Sequence, residues 1–527
     1  ITSRFKAKEL GIPVVMDTND RGMLDVERFD LEPDRPILHG LAEGLNPANI
    51  KGLSNEDKVP YILRMLNADH ISTRLKASMM EVEQSINTWP QLASSVVLGG
   101  ALTTDTVRRI LLDEFHESGR YYVDFEEFIA DKVPQKRKSS FEDDCPAELT
   151  LEDMLAISSG YQAVANPEIQ DEVLKEIVKA AIAAPSGGNS QPWKFLYKQG
   201  NLYIFHDIHF SHSLLDFNHL GSYVAFGAML ENIGIKAAEL NLSVKENVFP
   251  LKNDKRLIAV LSFEANRSNH PFTYLSSSIF NRHTNRTVTE RTILPQTILT
   301  QLQEAAASIS GARLLLYDSP KDIELFAELM TNTERLRFIH PIGHYDTFAK
   351  ELRFTPEQVL ETLDGMDIET LNMTNSERAA LQVAKDPKAI SLLHEWQKGH
   401  AFKKISRKPV LAASCIGMIT MDGDSQEDFL RAGRAVERVW LEATHLGVSF
   451  QPVSQAIFFL QRIKHEGGKH FNEYELSEFN KIKDQLMSLI PDSEVNRHPM
   501  FMFRFLKADM PAVRALRKPV EKVLYKG

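Results

Sequence analysis

The fold is decided by one stretch, which reads Ala184-Pro185-Ser186-Gly187-Gly188-Asn189-Ser190-Gln191-Pro192-Trp193. It follows an apolar run with helical spacing that stops at Pro185, and a strand is predicted from Lys194 onward. Glycines at the end of a helix allow backbone N–H groups to approach a ligand closely. The side chains of Asn189 and Gln191 offer both donors and acceptors, which suit the edge of a planar heterocycle. The stretch therefore predicts a ligand-binding loop between a helix and a strand.

Length and composition limit the number of domains and the classes of function that the chain can have. The chain has 527 residues, of which 43% are hydrophobic and 25% charged, so more than one folded core is expected. Its net charge of −10 argues against a broad nucleic-acid surface. The two cysteines, Cys145 and Cys415, lie far apart in the sequence. Two distant cysteines make neither a disulfide framework nor a metal site, so a cytoplasmic location is expected.

No membrane partner is expected, because no apolar run reaches the length of a membrane-spanning helix and no signal peptide is visible. The chain begins at Ile1 without a methionine, within what reads as the end of a helix. We expect it to be a piece of a longer gene product.

The loop at 184–193 resembles the Pro-Ser-x-x-Asn-Ser-Gln-Pro-Trp segment that members of the nitroreductase family of FMN enzymes carry over the flavin. The resemblance covers roughly residues 150–527. It implies an α+β fold and FMN as the cofactor. It also implies that the flavin is contacted by loop residues, namely Pro185, Ser186, Gly187, Asn189 and Gln191. Ser186 and Asn189 are the expected ring contacts, and Trp193 is expected to be a packed anchor behind the loop.

A second motif reads Ser278-Ile279-Phe280-Asn281-Arg282-His283-Thr284-Asn285-Arg286. It resembles the family's Arg-(Arg/His)-Ser/Thr-x-(Arg/Lys) motif, which holds the FMN phosphate. The resemblance therefore assigns four residues to the phosphate, namely Arg282, His283, Thr284 and Arg286. Guanidinium groups suit this role, since their forked N–H donors match phosphate oxygens. The alternative is a solvated basic turn.

Two further segments extend the resemblance. Residues 446–453 (LGVSFQPV) resemble the segment whose backbone lines the flavin near N5, which adds Gln451, Pro452 and Val453 to the expected site. The tail 504–522 resembles the terminal strand and basic segment that close on the phosphate, with Arg514, Arg517 and Lys518 as candidates. A solvated basic tail is the alternative for these three residues.

An internal repeat relates two parts of the chain. Leu230-Glu231, Ile233, Ala237, Leu240 and Ser243 match Val436-Glu437, Val439, Ala443, Leu446 and Ser449 at a constant offset of 206. Each set is an apolar helix followed by a strand. The chain thus resembles the tandem nitroreductases of bacteria, in which two halves, here 151–270 and 271–527, form an intramolecular version of the family's homodimer.

The arginines divide unevenly between these halves. No arginine occurs from Lys138 to Lys255, whereas the second half carries the arginines but reads AASISGA at the corresponding helix-to-strand junction, 306–312. In the family's homodimers the loop and the phosphate motif come from different subunits. We therefore expect one complete FMN site per chain and an empty second pseudo-site.

Residues 1–130 are expected to form a fragment of an α/β domain, because Leu10 to Thr18 reads as a helix end, a Gly turn and a buried strand. This region resembles the C-terminal part of ThiF/MoeB/HesA-type adenylating proteins, which occur fused to nitroreductase-like domains. Adenylation is not expected, since the Gly-rich nucleotide loop of that family is missing here. Residues 131–150 read as a linker, and 345–405 as a lid over the flavin or a surface helical hairpin.

The resemblance implies an FMN-dependent oxidoreductase with ping-pong electron transfer. NAD(P)H would reduce the flavin by hydride transfer to N5, and a small organic acceptor, a nitroaromatic or quinone, would take the electrons. No side chain is expected to act as an acid or base. The alternatives are an FMN store or sensor without turnover, the flavin module of a ThiF-type fusion, and a degenerate fold without flavin.

No metal site is expected. His206, His209 and His212 would not share a face of an extended segment, and no fourth ligand is evident. The N-terminal region could still pair two chains into a homodimer.

Overall fold

The computed structural model describes residues 2–41, 52–53, 55–82, 84–88, 90–131, 145–265 and 270–527. The chain divides into two compact units. The first consists of Ile1–Phe141, Ile339–Pro341 and Met373–Ala401, and the second of Glu142–Phe338, Ile342–Asn372 and Phe402–Gly527. Most of the linker predicted at 131–150 lies outside the described residues.

The first unit contains a small antiparallel sheet with the strand order β1-β2-β3. Its N-terminal elements are α1 (Thr2–Glu9), β1 (Val14–Asp17), β2 (Leu24–Glu27), α2 (Asn55–Leu66), α3 (Thr73–Met79), α4 (Ala93–Leu111), β3 (Gly119–Tyr121) and α5 (Phe125–Phe128). The strand predicted after Gly11 is present, but its sheet differs from the expected α/β fragment. Only six residues join β1 to β2, and a parallel pair would need a much longer crossover.

The second unit begins with the elements around the loop at 184–193. They are α6 (Leu151–Ser159), α7 (Asp171–Ile182), β4 (Trp193–Lys198), β5 (Asn201–His206), α8 (Ile208–Ser211), α9 (Leu220–Glu239), β6 (Leu242–Val248), β7 (Leu257–Ala265) and α10 (Ser276–Asn281). β4 and β5 form a hairpin whose turn contains Gly200, which lies in the left-handed region of backbone space at φ +69°.

A long insertion follows the next helix and strand, α11 (Gln296–Ala307) and β8 (Arg313–Tyr317). It contains α12 (Pro320–Ile339), α13 (Pro341–Tyr345), a π-helical turn (Asp346–Glu351), β9 (Leu352–Arg353), α14 (Pro356–Thr362), β10 (Met366–Asp367), α15 (Asn375–Ala384), α16 (Pro387–Glu395) and α17 (Phe402–Leu411). The region predicted as a lid, 345–405, is divided by the structure. Its residues 373–401, with α15 and α16, belong to the first unit.

The chain ends with the second large sheet and a final strand. These elements are β11 (Cys415–Met421), α18 (Gln426–His445), β12 (Ser449–Pro452), α19 (Gln455–Glu466), α20 (Glu473–Ser488), β13 (His498–Leu506) and β14 (Leu524–Lys526). The two large sheets have the orders β4-β5-β7-β6 and β8-β11-β13-β12, and every one of these pairs is antiparallel. β14 adds to the first sheet, parallel to β4. Each sheet thus uses its strands in the same chain order.

Two long buried helices of the second unit, α9 and α18, pack against each other. Both have 20 residues, and their ends are separated by the same offset (426 − 220 = 206 and 445 − 239 = 206). Gly227 and Gly433, also 206 apart, let the backbones approach. A Cβ atom on Gly227 would lie 1.9 Å from the carbonyl oxygen of Leu430, and one on Gly433 would lie 2.0 Å from that of Val224.

The main hydrophobic core of the second unit surrounds this helix pair. It joins side chains of both large sheets to those of the two helices, including Trp193, Phe226, Trp440 and Phe450, none of which is more than 1% exposed. In the described part of the chain, no helix combines the length and the hydropathy that a membrane crossing requires.

Candidate functional site

The loop predicted to bind a ligand leaves α7 and turns sharply before β4. A single 3-10 turn covers Gly187–Asn189, and Gly188, Asn189 and Gln191 have positive φ angles of 58°, 56° and 51°. The turn is closed by Ser186, whose Oγ accepts a hydrogen bond of 3.0 Å from the Gln191 backbone N–H. Two non-glycine residues held in the left-handed region are a form of local strain that concentrates at functional sites.

Trp193 is buried directly behind this loop. Only 1% of the residue is exposed, and its ring packs edge-on against Phe226, with the ring centroids 6.4 Å apart. The structure therefore confirms that Trp193 is a packed anchor.

The two amide side chains of the loop bind the backbone of two other segments. Asn189 Nδ2 donates to the carbonyl oxygens of Gly365 (2.9 Å) and Leu516 (3.2 Å). Gln191 Nε2 donates to the carbonyl oxygen of Leu363 at 2.8 Å. Residues 363–365 of the insertion and 516–518 of the C-terminal tail thus occupy the groups that the sequence assigns to a flavin.

The tail reinforces this arrangement from the other side. Arg517 donates to Asn189 Oδ1 at 2.6 Å and to the Ala184 carbonyl oxygen at 3.3 Å, and the Lys518 backbone N–H donates to Gln191 Oε1 at 2.9 Å. Burial and the neighbouring Arg282 lower the pKa of Arg517 to about 9. The structure therefore brings Arg517 to the loop, 326 positions away from Gln191 in the chain (517 − 191 = 326).

Arg282 is fully inside the protein and has a carboxylate partner. It donates to the Ala183 carbonyl oxygen at 2.6 Å, lies over the Trp440 ring at 4.4 Å from the centroid, and places Nε 3.3 Å from Glu437. Burial lowers the pKa of Arg282 and raises that of Glu437 to about 7. Arg282 thus supports the end of α7 at the start of the loop, and part of its charge is already balanced.

Arg286 lies in a different environment, without a carboxylate in contact among the described residues. Its polar contacts with described residues are long, 3.4 Å to the Thr370 carbonyl oxygen and 3.6 Å to Met366 Sδ. Burial lowers its pKa to about 10. Arg504 lies near it and has its own pKa lowered to about 10 by burial and by the Arg286 charge. Two guanidinium groups without a counter-charge make this region strongly cationic.

The remaining residues of the phosphate motif frame the same region. His283 Nδ1 lies 2.8 Å from the Asn281 carbonyl oxygen, and burial together with Arg514 and Arg282 lowers the pKa of the imidazole. Thr284 is bridged to Phe450 of β12 through the backbone. Arg514 is exposed, and its charge reaches His283.

The segment expected near flavin N5 forms the edge strand β12. Gln451 and Pro452 pair with Arg504 and Phe503 of β13, and the Val453 N–H donates to the Met502 carbonyl oxygen at 2.8 Å. Gln451 Oε1 accepts a hydrogen bond of 2.6 Å from Arg504 Nε. The direct role of Gln451 in this structure is therefore to hold Arg504.

Several residues of the region were missed by the sequence reasoning. Glu437 and Arg504 are buried charges, and Leu363 and Gly365 reach the loop from the insertion. A signal for Glu437 was present, because it repeats Glu231 inside an otherwise apolar helical pattern. The carbonyl contacts of 363–365 left no signal, since any residue type can supply a carbonyl.

The residues present fit the phosphate of FMN. Among the described residues, Arg517 Nε and His283 Nε2 are buried nitrogen atoms without a hydrogen-bond partner, whereas Arg282 Nε lies 3.3 Å from Glu437. Buried polar groups are nearly always satisfied, so the Arg517 N–H is a donor suited to an anion, and His283 Nε2 becomes one when the imidazole is protonated. The ring contacts expected of Asn189 and Gln191 are made with protein backbone in this structure.

Comparison with known proteins shows which families and structures this chain is similar to. Residues 159–201, which include the loop, match the model of the nitroreductase family. Two crystal structures align over about half of the chain. One is the FMN-bound nitroreductase of Bacteroides fragilis NCTC 9343, with 13% identity, 48% of this chain and 95% of that chain covered, and a TM-score of 0.24. The other is the FMN-dependent nitroreductase NfnB of Mycobacterium smegmatis in complex with NADPH, with 11% identity, coverage of 48% and 97%, and a TM-score of 0.27.

Both TM-scores lie below 0.5, so these alignments establish no identity of fold. A relative matches nearly the whole chain. The uncharacterized protein MT1398 of Mycobacterium tuberculosis (strain CDC 1551 / Oshkosh) is 32% identical over 513 residues, which are 96% of this chain and 68% of that protein. The chain therefore belongs to the same protein family as MT1398.

Proposed function

We propose that the second unit binds one FMN per chain and acts as an FMN-dependent oxidoreductase of the nitroreductase type. The observation that carries the proposal is the convergence of Arg282 and Arg517 on the loop and its helix end, at the Ala183 carbonyl oxygen and at Asn189. Arg286 approaches through the insertion, since it contacts Met366, the residue after the Gly365 that Asn189 binds. The match of residues 159–201 to the nitroreductase family model supports the same cofactor.

We assign the cationic residues to the phosphate end of the proposed FMN site. A phosphate dianion would accept a hydrogen bond from the unpartnered Nε–H of Arg517, would favour protonation of His283 at Nε2, and would balance the charge of Arg286. Arg282 would contribute less directly, because Glu437 already balances part of its charge. Its role is to hold Ala183, and with it the start of the loop.

The ring end requires the covering segments to move. Asn189 and Gln191 can meet a heterocycle edge only after they release the carbonyl groups of Leu363, Gly365 and Leu516. We assign the lid function to the part of the predicted lid that belongs to this unit, residues 345–372. Within it Glu351 packs on the loop, since a Cβ atom on Gly188 would lie 3.0 Å from Glu351 Cγ.

The paired sheets explain why one chain would suffice for one site. Both sheets use the same strand order, and the α9–α18 contact relates Gly227 to Gly433 by the offset of 206. We infer that the second unit is an internal duplication, an intramolecular counterpart of a homodimer. The loop that corresponds to 184–191, after α11, carries Ser308 against Arg438, whose guanidinium is already paired with Glu231.

When bound, FMN would supply the redox chemistry, accepting a hydride from NAD(P)H and passing electrons to a small acceptor such as a nitroaromatic or a quinone. The protein residues would bind, orient and shield. The cations would fix the phosphate, the loop amides would hold the ring edge, and residues 363–365 would limit access of water. No side chain is assigned a proton-transfer role.

The test is FMN binding to the purified full chain, followed by flavin fluorescence. We expect one FMN per chain, and Arg286→Gln to weaken binding by roughly tenfold or more, because a charge-assisted contact to phosphate is lost. Arg291→Gln is the matched control, since Arg291 also donates to backbone carbonyls, those of Ala413 and Asp318, away from the loop. It should bind FMN as the wild type does.

Two outcomes would contradict the proposal of a flavin site. They are the absence of FMN binding and an equal loss of affinity in both variants. Two FMN per chain would contradict the single-site assignment. Steady NAD(P)H oxidation with an acceptor supports an oxidoreductase, whereas flavin binding without turnover would indicate a store or sensor.

A further inference from the structure

A cluster of metal-ligand side chains lies beyond the loop, at the end of β5. His206, Asp216 and His219 each place one ligand atom so that all three atoms lie within 4.8 Å of one another. The two imidazole rings approach edge to face, with centroids 4.9 Å apart. None of the three residues is part of the flavin site proposed above.

His206 is held rigidly by the sheet. It is the last residue of β5, pairs with Trp193 of β4, and is 1% exposed. Its Nε2 lies 2.8 Å from Ser211 Oγ, which fixes the orientation of the ring.

Asp216 and His219 are presented by the turn that precedes α9. Asp216 accepts hydrogen bonds from the backbone N–H (2.9 Å) and the hydroxyl (2.6 Å) of Ser222, which fixes its carboxylate. Asn218 and His219 both have positive φ angles, 48° and 62°. This left-handed pair turns the His219 side chain back toward the end of β5 instead of along the helix.

The sequence pattern pointed to other partners. In the spacing His206, His209 and His212, only the first residue belongs to the cluster. His209 Nδ1 lies instead 2.9 Å from the Pro146 carbonyl oxygen. The folded turn, and not the spacing of the three histidines, therefore brings a second histidine and a carboxylate to His206.

We propose that His206, Asp216 and His219 form a binding site for a single Zn²⁺ ion. Two imidazoles and one carboxylate are ligands typical of zinc, and a three-residue set leaves the fourth tetrahedral position to solvent. Ligand atoms at about 2.0–2.2 Å from zinc lie roughly 3.5 Å apart, so the side chains must close by about 1 Å from their present positions. The ion would tie the end of β5 to the start of α9.

The experiment uses the full chain after treatment with a chelator. Isothermal titration with Zn²⁺ and absorption of the Co²⁺-loaded protein report stoichiometry and ligand type. We expect one ion per chain and a tetrahedral Co²⁺ spectrum. His219→Gln and Asp216→Asn should each weaken Zn²⁺ binding by about 100-fold, because a three-residue site loses a ligand or its charge. Both residues are partly exposed, so the variants should fold, which circular dichroism checks.

His209→Gln is the matched control, since it removes a histidine from the same segment without touching the cluster. It should bind Zn²⁺ as the wild type does, and Zn²⁺ should raise the thermal midpoint of both proteins but not that of His219→Gln. Failure of the wild type to bind, or an equal effect of His209→Gln and His219→Gln, would overturn the site.

Discussion

Two buried glutamates on opposite sides of the α9–α18 contact differ in how they are satisfied. Glu231 accepts a hydrogen bond of 2.6 Å from Arg438 Nε, and the same guanidinium reaches Ser308 Oγ at 2.7 Å. Glu437 lies 3.3 Å from Arg282, and neither of its oxygens has a hydrogen-bond partner of standard geometry in the described part of the chain.

The repeat explains the difference between the two sides. Residues 206 positions apart are Asn232 and Arg438, so an asparagine lies beside Glu437 where an arginine lies beside Glu231. A satisfied ion pair serves packing, whereas unsatisfied buried groups are found where a protein binds or reacts. The comparison assigns a structural ion pair to the Glu231 side and supports the proposed ligand site on the Glu437 side.

The largest expected effect separates the two ion pairs. Arg438→Met should lower the free energy of unfolding by about 3 kcal/mol or more, because it leaves Glu231 buried without its hydrogen-bonded partner. Arg282→Met should cost only about 1–2 kcal/mol, because Glu437 can take up a proton near neutral pH. Urea denaturation at pH 7 measures both.

Flavin binding is a second measurement that distinguishes the Arg282→Met and Arg438→Met variants. Arg282→Met should weaken FMN binding, and Arg438→Met should not. Equal losses of stability in the two variants, or a loss of FMN binding in Arg438→Met, would show that the two sides are not specialised as described.

The next largest effect concerns the close contact between α9 and α18, which both sides share. Gly227→Ala and Gly433→Ala should each lower the free energy of unfolding by about 3 kcal/mol, because each added methyl group meets the backbone of the other helix. Thermal or urea denaturation measures the loss. Gly234→Ala is the control on α9, since its Cβ would come no closer than 3.7 Å to any atom. It should be neutral or slightly stabilising, by less than about 1 kcal/mol. A cost for Gly227→Ala no larger than that control would contradict the close helix contact.

The smallest effect is a pH dependence confined to the Glu437 side. Burial raises the pKa of Glu437 from 4.5 to about 7, so between these values the folded chain keeps a proton that the unfolded chain has released. The contribution of Glu437 to stability therefore falls as pH rises from about 4.5 to 7, by at most about 1.4 kcal/mol per pH unit. Glu437→Gln should flatten this part of the stability profile. Parallel profiles for the variant and the wild type would contradict the raised pKa.

Much of the second unit could be predicted from local pattern. The helices at 296–307 and 426–445, the hairpin at 193–206 and the strands at 257–265, 313–317 and 498–506 follow from hydrophobic periodicity and turn residues. The first unit was harder, because β1 alone looks the same in a parallel or an antiparallel sheet. The direction of its partner depends on the chain that follows it.

Some residues of the candidate site were also visible in the sequence, and others were not. The loop at 184–191 and the motif at 282–286 were visible as glycines, amides and arginines at close spacing. The partners of the loop were not visible, because they are carbonyl groups from 363–365 and 516 that any residue could supply. The cluster of His206 with Asp216 and His219 was missed, since a left-handed turn at Asn218 and His219 brings these side chains together.

The sequence by itself determined the repeat of 206 residues, the glycine- and amide-rich loop, and the uneven division of arginines between the two halves. Residue type and spacing carry this information directly. Only the tertiary structure decided which guanidinium groups keep a free charge. Arg282 and Arg286 lie in one motif, yet among the described carboxylates one meets Arg282 and none meets Arg286. The energy of a buried charge depends on what packs around it, and the four positions that separate these two arginines in the sequence place them in different surroundings.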